Sequence, residues 1–171
     1  YYGGNAEEIS HNLFNLEKYE KESLLFMNYR GYGRSTGRPS QSNLFSDALF
    51  IFDHISDTYS IPSTNIILMG RSLGSAVATY VAKQRHVRAV ILITPFDSLV
   101  NIAKEHYPFF PVKLLLRHPF DSVQIAPEIT TPMIAIIAEQ DRIISNEQSV
   151  NLVEHWGMKS HYVIIKDADH N

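Results

Sequence analysis

The sequence contains no cysteine. That single absence removes disulfides, thiolate nucleophiles and Cys-ligated zinc. No apolar run approaches the roughly 18 residues that span a bilayer, and no secretory leader pattern is visible. Charge of neither sign dominates: 15 Lys and Arg stand against 18 Asp and Glu, a formal net charge of −3. No global field therefore recruits nucleic acid or an anionic membrane. A phosphate-binding G-K-[ST] sequence is missing. In Gly31-Tyr32-Gly33-Arg34-Ser35-Thr36-Gly37 the third glycine of a dinucleotide fingerprint is replaced by Thr36, and Pro39 follows instead of a helix, so nucleotide binding is not expected. An initiator Met is missing too. The chain opens on Tyr1-Tyr2-Gly3-Gly4, which reads as the tail of a strand entering a turn, so the true N-terminus, with any targeting or anchoring segment, is expected to lie outside this sequence.

What is present is globular: 171 residues, 44% hydrophobic and 19% charged, with 9 Tyr and 9 Phe. That length predicts one domain with a substantial core. Short continuous apolar runs at 24–29, 66–69, 89–94, Met133–Ala138 and 162–165 read as parallel strands covered on both faces. Helix-period segments alternate with them. The first, 6–19, carries Ile9, Leu13 and Leu16 behind an Asn5 cap. The second, 43–56, carries Leu44, Ala48, Leu49, Phe52 and Ile55. A third follows Ser72, with Ala76, Tyr80 and Lys83 along it, and a fourth runs from an Asn146 cap to Trp156 and stops at Gly157. The fold class is α/β, a mostly parallel sheet with helices on both faces. Residues 98–127 interrupt the alternation with four of the eight prolines and the cluster Tyr107-Pro108-Phe109-Phe110-Pro111. They are expected to form an irregular, lid-like excursion over the carboxyl edge of the sheet, where ligands bind in this architecture.

Gly70-Arg71-Ser72-Leu73-Gly74 falls between a strand and a helix. G-x-S-x-G in that context is a nucleophile elbow, with Ser72 at the apex of a tight turn and at a helix N-terminus. A serine hydroxyl needs a base, and the base needs an orienting acid. Asp141 follows the run Met133–Ala138 and is the first candidate for the acid; Asp97, one strand earlier, is the alternative. His170, beyond the last strand, is the candidate base. The other seven histidines stand on helices or loops without metal-ligand spacing, and no metal is expected. The oxyanion donors would be the N–H groups of Leu73 and Asn5, the latter alternatively only a helix cap. Candidate substrate contacts are Gly4, Arg71, Tyr107, Phe109 and Phe110. For Arg71 the competing assignment is a structural salt bridge. For the aromatic cluster, which with Leu114–Leu116 could line an acyl pocket, it is a cover without substrate contact.

With these residues in place, the chain resembles the α/β-hydrolase superfamily of serine hydrolases, in its lipase-, thioesterase- and aminopeptidase-like branch. The resemblance rests on Gly4-Asn5-Ala6, on Asn28-Tyr29-Arg30-Gly31-Tyr32-Gly33-Arg34-Ser35 with Gly37-Arg38-Pro39-Ser40, on the elbow, on Pro111-Val112-Lys113-Leu114-Leu115-Leu116, and on Asp169-His170-Asn171. It covers essentially the whole chain. Three departures stand out: Gly3-Gly4 where the family has His-Gly, Ser75 where glycine is common after the elbow, and Ser145 in place of a frequent Pro. The resemblance also implies a strand between the run 24–29 and the elbow strand, of which only Tyr1-Tyr2 is present, and a closing helix after the His. A domain trimmed at both ends is the expectation. What the family implies is cofactor-independent hydrolysis of a carboxylic ester or thioester through an acyl-enzyme on Ser72, with a small-molecule substrate and no nucleic-acid partner. Peptide or amide cleavage on the same fold and a non-catalytic binding protein are the alternatives. Localisation stays open between the cytoplasm and a membrane reached through an N-terminal segment.

Overall fold

The computed structural model describes residues 1–10 and 22–171. Four parallel strands, β1 (Ile67–Arg71), β2 (Ala89–Ile93), β3 (Met133–Ala138) and β4 (Ser160–Ile165), pair in the order β1-β2-β3-β4. Ile67 registers with Ala89, Val90 with Met133, and Met133 with Ser160. Beyond β1, Tyr2 makes single parallel bridges to Gly70 on one side and Met27 on the other. Tyr2 therefore lies between β1 and the run 24–29, the position the resemblance implies for a further strand. The run 24–29 pairs with Tyr2 through a single bridge at Met27 rather than forming the expected strand, and Leu24 and Leu25 are exposed.

Among the described residues, six helices accompany this sheet. Ser40 caps α1 (Gln41–Thr58) by accepting from the Asn43 N–H at 3.2 Å, and the i, i+4 stripe Leu44, Ala48 and Phe52 is buried. The helix α2 (Leu73–Gln84) is buried from Gly74 to Thr79, because its small residues let it lie against β1, β2 and α1. Residues 98–127 are not irregular as expected. They hold α3 (Leu99–His106), α4 (Val112–Leu115) and α5 (Ser122–Ile125), the first capped by Ser98. The prolines mark helix boundaries rather than disorder of the backbone.

Three further expectations change. The segment 6–19 does not start as a helix, since Ala6 sits at φ 59° in a turn, so Asn5 is not a helix cap; Ile9 is buried, and Leu13 and Leu16 lie outside the described residues. The last helix, α6 (Asn146–Glu154), takes Ser145 as its N-cap residue, one position before the expected Asn146. Strand β4 is not covered on both faces: Tyr162, Val163, Ile164 and Ile165 are all exposed, because β4 has β3 on one side and α6 as its packed helix. The core sits between β1–β3 and the helices, around Val77, Val81, Val90, Leu92, Phe96, Ile137 and Leu152. Each fully buried aliphatic side chain there contributes about 1.5–3 kcal/mol relative to exposure.

Candidate active site

The turn from β1 into α2 places Ser72 at φ 50° and ψ −118°. A non-glycine residue there costs about 1–3 kcal/mol and persists only when its surroundings hold it. Here they do. The Ser72 N–H donates to the Ile93 carbonyl at 2.9 Å, and its own carbonyl accepts from the Ser75 N–H at 2.8 Å and the Ser75 hydroxyl at 2.6 Å. A side chain on Gly70 would press into the Gly74 carbonyl, and one on Gly74 into the Tyr2 carbonyl. Both glycines of the motif are thus required by close backbone approach.

Beyond β3 and β4, two loops meet over this turn. The Gln140 N–H donates to the Ala168 carbonyl at 2.8 Å, and the Asp167 N–H donates to Glu139 Oε2 at 3.0 Å. This clasp brings His170 onto Asp141, with Nδ1 2.7 Å from Asp141 Oδ2, while Nε2 lies 3.0 Å from Ser72 Oγ. The other Asp141 oxygen accepts the N–H groups of Ile143 and Ile144, each at 2.9 Å. Both side chains of the His–Asp pair are almost fully buried. Water competes poorly for such contacts, and the ring is held by both nitrogens. Ser72, His170 and Asp141 therefore form one continuous hydrogen-bonded chain.

Asp97 is not part of it. It is buried and accepts from the Ser98 N–H at 2.5 Å and from the side-chain amides of Asn101 and Asn151, both at 2.8 Å. Both its oxygens are committed to tying α3 and α6 to the end of β2.

Gly4 lies against the turn: a Cβ there would sit 3.6 Å from the Ser72 Cβ. Its N–H donates to Glu7 Oε2 at 2.5 Å. The Asn5 side chain accepts from the Tyr32 hydroxyl at 2.6 Å, and the Tyr29 hydroxyl donates to the Gly3 carbonyl at 3.1 Å. Burial pushes the Tyr29 phenol far above its ordinary value, so it remains a donor. Among the described residues, neither the Asn5 nor the Leu73 N–H donates a hydrogen bond to another protein group.

A cleft of about 390 Å³ opens beside Ser72, lined by Asn5, Leu73, Tyr32, Phe96, Leu99, Ile102, Phe120 and Ile143 among others. His118, an exposed residue, also borders it. Tyr107, Phe109 and Phe110 do not line it and are 60%, 95% and 62% exposed. Of the leucines beside them, Leu115 and Leu116 border a neighbouring groove of about 360 Å³, whereas Leu114 points to solvent. Arg71 is likewise absent from the cleft wall. Its guanidinium contacts Glu7, the His170 carbonyl and Asn171. Sequence reasoning did not find Glu7, Tyr29, Tyr32 and Ser75 as supports of the site. Glu7, three residues after Gly4, and the Ser75 departure were the available signals. No group of three His, Cys, Asp or Glu able to hold a metal occurs among the described residues.

A parallel sheet carrying a serine elbow at a strand end, with a His–Asp pair from later loops, defines an α/β-hydrolase. Solved structures agree on the fold. A monoacylglycerol lipase from Paleococcus ferrophilus superposes over 99% of this chain and 84% of its own, with a TM-score of 0.73 at 18% identity. An α/β hydrolase from a deep-sea metagenome library superposes over 99% and 80%, at 0.74 and 14%. Residues 14–118 match the family described as serine aminopeptidase, S33, and the chain belongs to that family. Relatives include an uncharacterised protein of Mycobacterium tuberculosis, 34% identical over 87% of this chain and 53% of that protein. Another is the α/β hydrolase domain-containing protein WAV2 of Arabidopsis thaliana, 32% identical over 82% and 51%. The chain spans about half the length of these relatives.

Proposed function

We propose that this chain carries the catalytic centre of a serine hydrolase that cleaves a carboxylic ester or thioester through an acyl-enzyme on Ser72. The observation that carries the reading is the hydrogen-bonded chain from Ser72 Oγ through His170 to Asp141 at the mouth of an apolar cleft. His170 Nε2 takes the proton of Ser72 as the oxygen attacks the substrate carbonyl. Asp141 keeps the Nδ1 proton in place and stabilises the imidazolium that forms. The N–H groups of Leu73 and Asn5 receive the developing oxyanion. His170 then protonates the departing alkoxide or thiolate, and water repeats the sequence on the acyl-enzyme. Neither the reaction nor the residues call for a cofactor.

The cleft also argues for the acyl substrate over an aminopeptide. Its described lining has aromatic and aliphatic side chains but no Asp or Glu. A free ammonium group would enter without a counter-charge, which is costly. The segment 98–127 serves as the cover, supplying Leu99, Ile102 and Phe120 to the wall.

The test is hydrolysis of p-nitrophenyl esters from acetyl to lauroyl by the full-length protein, beside aminoacyl p-nitroanilides. Ser72→Ala and Asp141→Ala are expected to lower kcat by roughly 10⁴-fold or more. Ester turnover untouched by Ser72→Ala, or turnover of anilides alone, would overturn the reading.

A further inference from the structure

We propose that Arg71 is a positioning residue, one cation that holds the oxyanion loop and the loop carrying the base in register with the nucleophile turn. The proposal rests on the hydrolase reading above. Arg71 ends β1 immediately before Ser72, and its N–H donates to the Tyr2 carbonyl at 3.0 Å, so the sheet holds its backbone. The side chain is only a quarter exposed and reaches in two directions. Nη1 lies 3.4 Å from Glu7 Oε2. Nη2 donates to the His170 carbonyl at 3.2 Å and to Asn171 Oδ1 at 2.6 Å.

Glu7 extends that reach to the oxyanion loop. Its Oε2 accepts the Gly4 N–H at 2.5 Å, and its Oε1 accepts the Tyr1 hydroxyl at 3.0 Å. Its own N–H closes the turn on the Gly4 carbonyl at 3.4 Å, with Ala6 in the left-handed conformation at φ 59°. The turn presents Asn5 directly after Gly4, which Glu7 holds through both its N–H and its carbonyl. Where the family pattern has a histidine before the glycine, Gly3 has no side chain with which to hold the loop; here a carboxylate three residues later holds it. The Arg71 guanidinium sets a positive charge beside the carboxylate oxygen that accepts the Gly4 N–H, and so ties that oxygen to the nucleophile turn. The planar fork of arginine can serve Glu7 and His170 at once, which a lysine ammonium does less well.

Rate depends on this register because reacting groups displaced by about 1 Å lose on the order of 100-fold. A structural ion pair alone would alter stability, not turnover. An anion-docking role for Arg71 would alter KM. Positioning alters kcat and the affinity for a tetrahedral adduct while leaving KM nearly unchanged.

The experiment uses the full-length protein with Arg71→Met, Arg71→Lys, Glu7→Gln and the Arg71→Met/Glu7→Gln double variant. The readouts are kcat and KM on p-nitrophenyl butyrate, inhibition by a trifluoromethyl ketone, the rate of fluorophosphonate labelling, and thermal unfolding. Arg71→Met is expected to lower kcat by roughly 10–100-fold, with KM within about threefold and ketone affinity weakened in parallel. Arg71→Lys restores part of the loss. The double variant loses less than the two single losses multiplied, because both break one linkage. A kcat within twofold of wild type in Arg71→Met overturns the proposal, whether KM rises, only stability falls, or nothing changes. Should that variant not fold, unchanged kcat in Arg71→Lys and Glu7→Gln overturns it equally. Wild-type protein is assayed first. Lack of Ser72-dependent labelling there fails the hydrolase reading, and the proposal with it, whereas normal wild-type labelling with indifferent Arg71 variants fails the proposal alone.

Discussion

Ser75 brings a hydroxyl into a fully buried position and donates it to the Ser72 carbonyl. The departure from glycine after the elbow thus supports the strained serine rather than merely crowding the helix. Asp97 illustrates the opposite relation between chemistry and role. It is a buried carboxylate at the end of a strand, as a catalytic acid would be, yet its oxygens serve the Ser98 N–H and the amides of Asn101 and Asn151. Asp97→Ala would leave these donors without an acceptor, and the expected cost is about 2–4 kcal/mol of stability. Urea unfolding followed by fluorescence of the single tryptophan, buried Trp156, measures it. The kcat of the folded fraction should stay within about twofold of wild type; a loss comparable to that of Asp141→Ala would reverse the assignment of the two acids.

Among the elements, α1 and α2 are joined at their solvent side by Arg85, which donates to both Asp53 oxygens at 2.7 Å. The hydrogen bonds from Arg85 hold the Asp53 carboxyl below its usual range. A depressed carboxylate contributes stability above its unfolded pKa, near ~3.9, and loses it as pH falls through the folded value. Both side chains are more than a third exposed, so solvent screening limits the pair to about 1 kcal/mol or less. Asp53→Asn should therefore lower Tm at pH 7 by at most roughly 2–4 °C. The difference should close as pH falls through the lowered folded value and shrink in 1 M salt. Differential scanning calorimetry across pH checks this; a gap that persists at pH 2 would mean that packing of α1, not the charge, was altered.

For the whole molecule, protection should follow position in the sheet. Strands β2 and β3 have a neighbour on each side, whereas among the described residues β4 pairs only with β3 and is exposed from His161 to Ile165. Hydrogen exchange read by mass spectrometry is expected to be slowest for peptides holding Val90 and Leu92. It should be faster by at least about tenfold for those holding Val163 and Ile164. Equal protection of β4 would show that another surface covers that edge in solution.

The sequence by itself determined the elements whose cause is local. Strand-length apolar runs, the 44–48–52 stripe and the glycines around Ser72 each act within a few residues, and four of the five runs form strands of the sheet. It also put Ser72, Asp141 and His170 at strand ends on one edge, where the structure brings them within hydrogen-bond reach. Periodicity misread the rest for a common reason: it reports which residues want burial, not what is available to bury them. Among the described residues, the run 24–29 pairs through one bridge, β4 is exposed along most of its length, and the aromatics at 107–110 turn out to solvent while Leu99, Ile102 and Phe120 reach the cleft. Only the tertiary structure could separate Asp141 from Asp97, because both lie in a loop that follows a strand. The difference lies in which groups, distant in sequence, converge on each carboxylate.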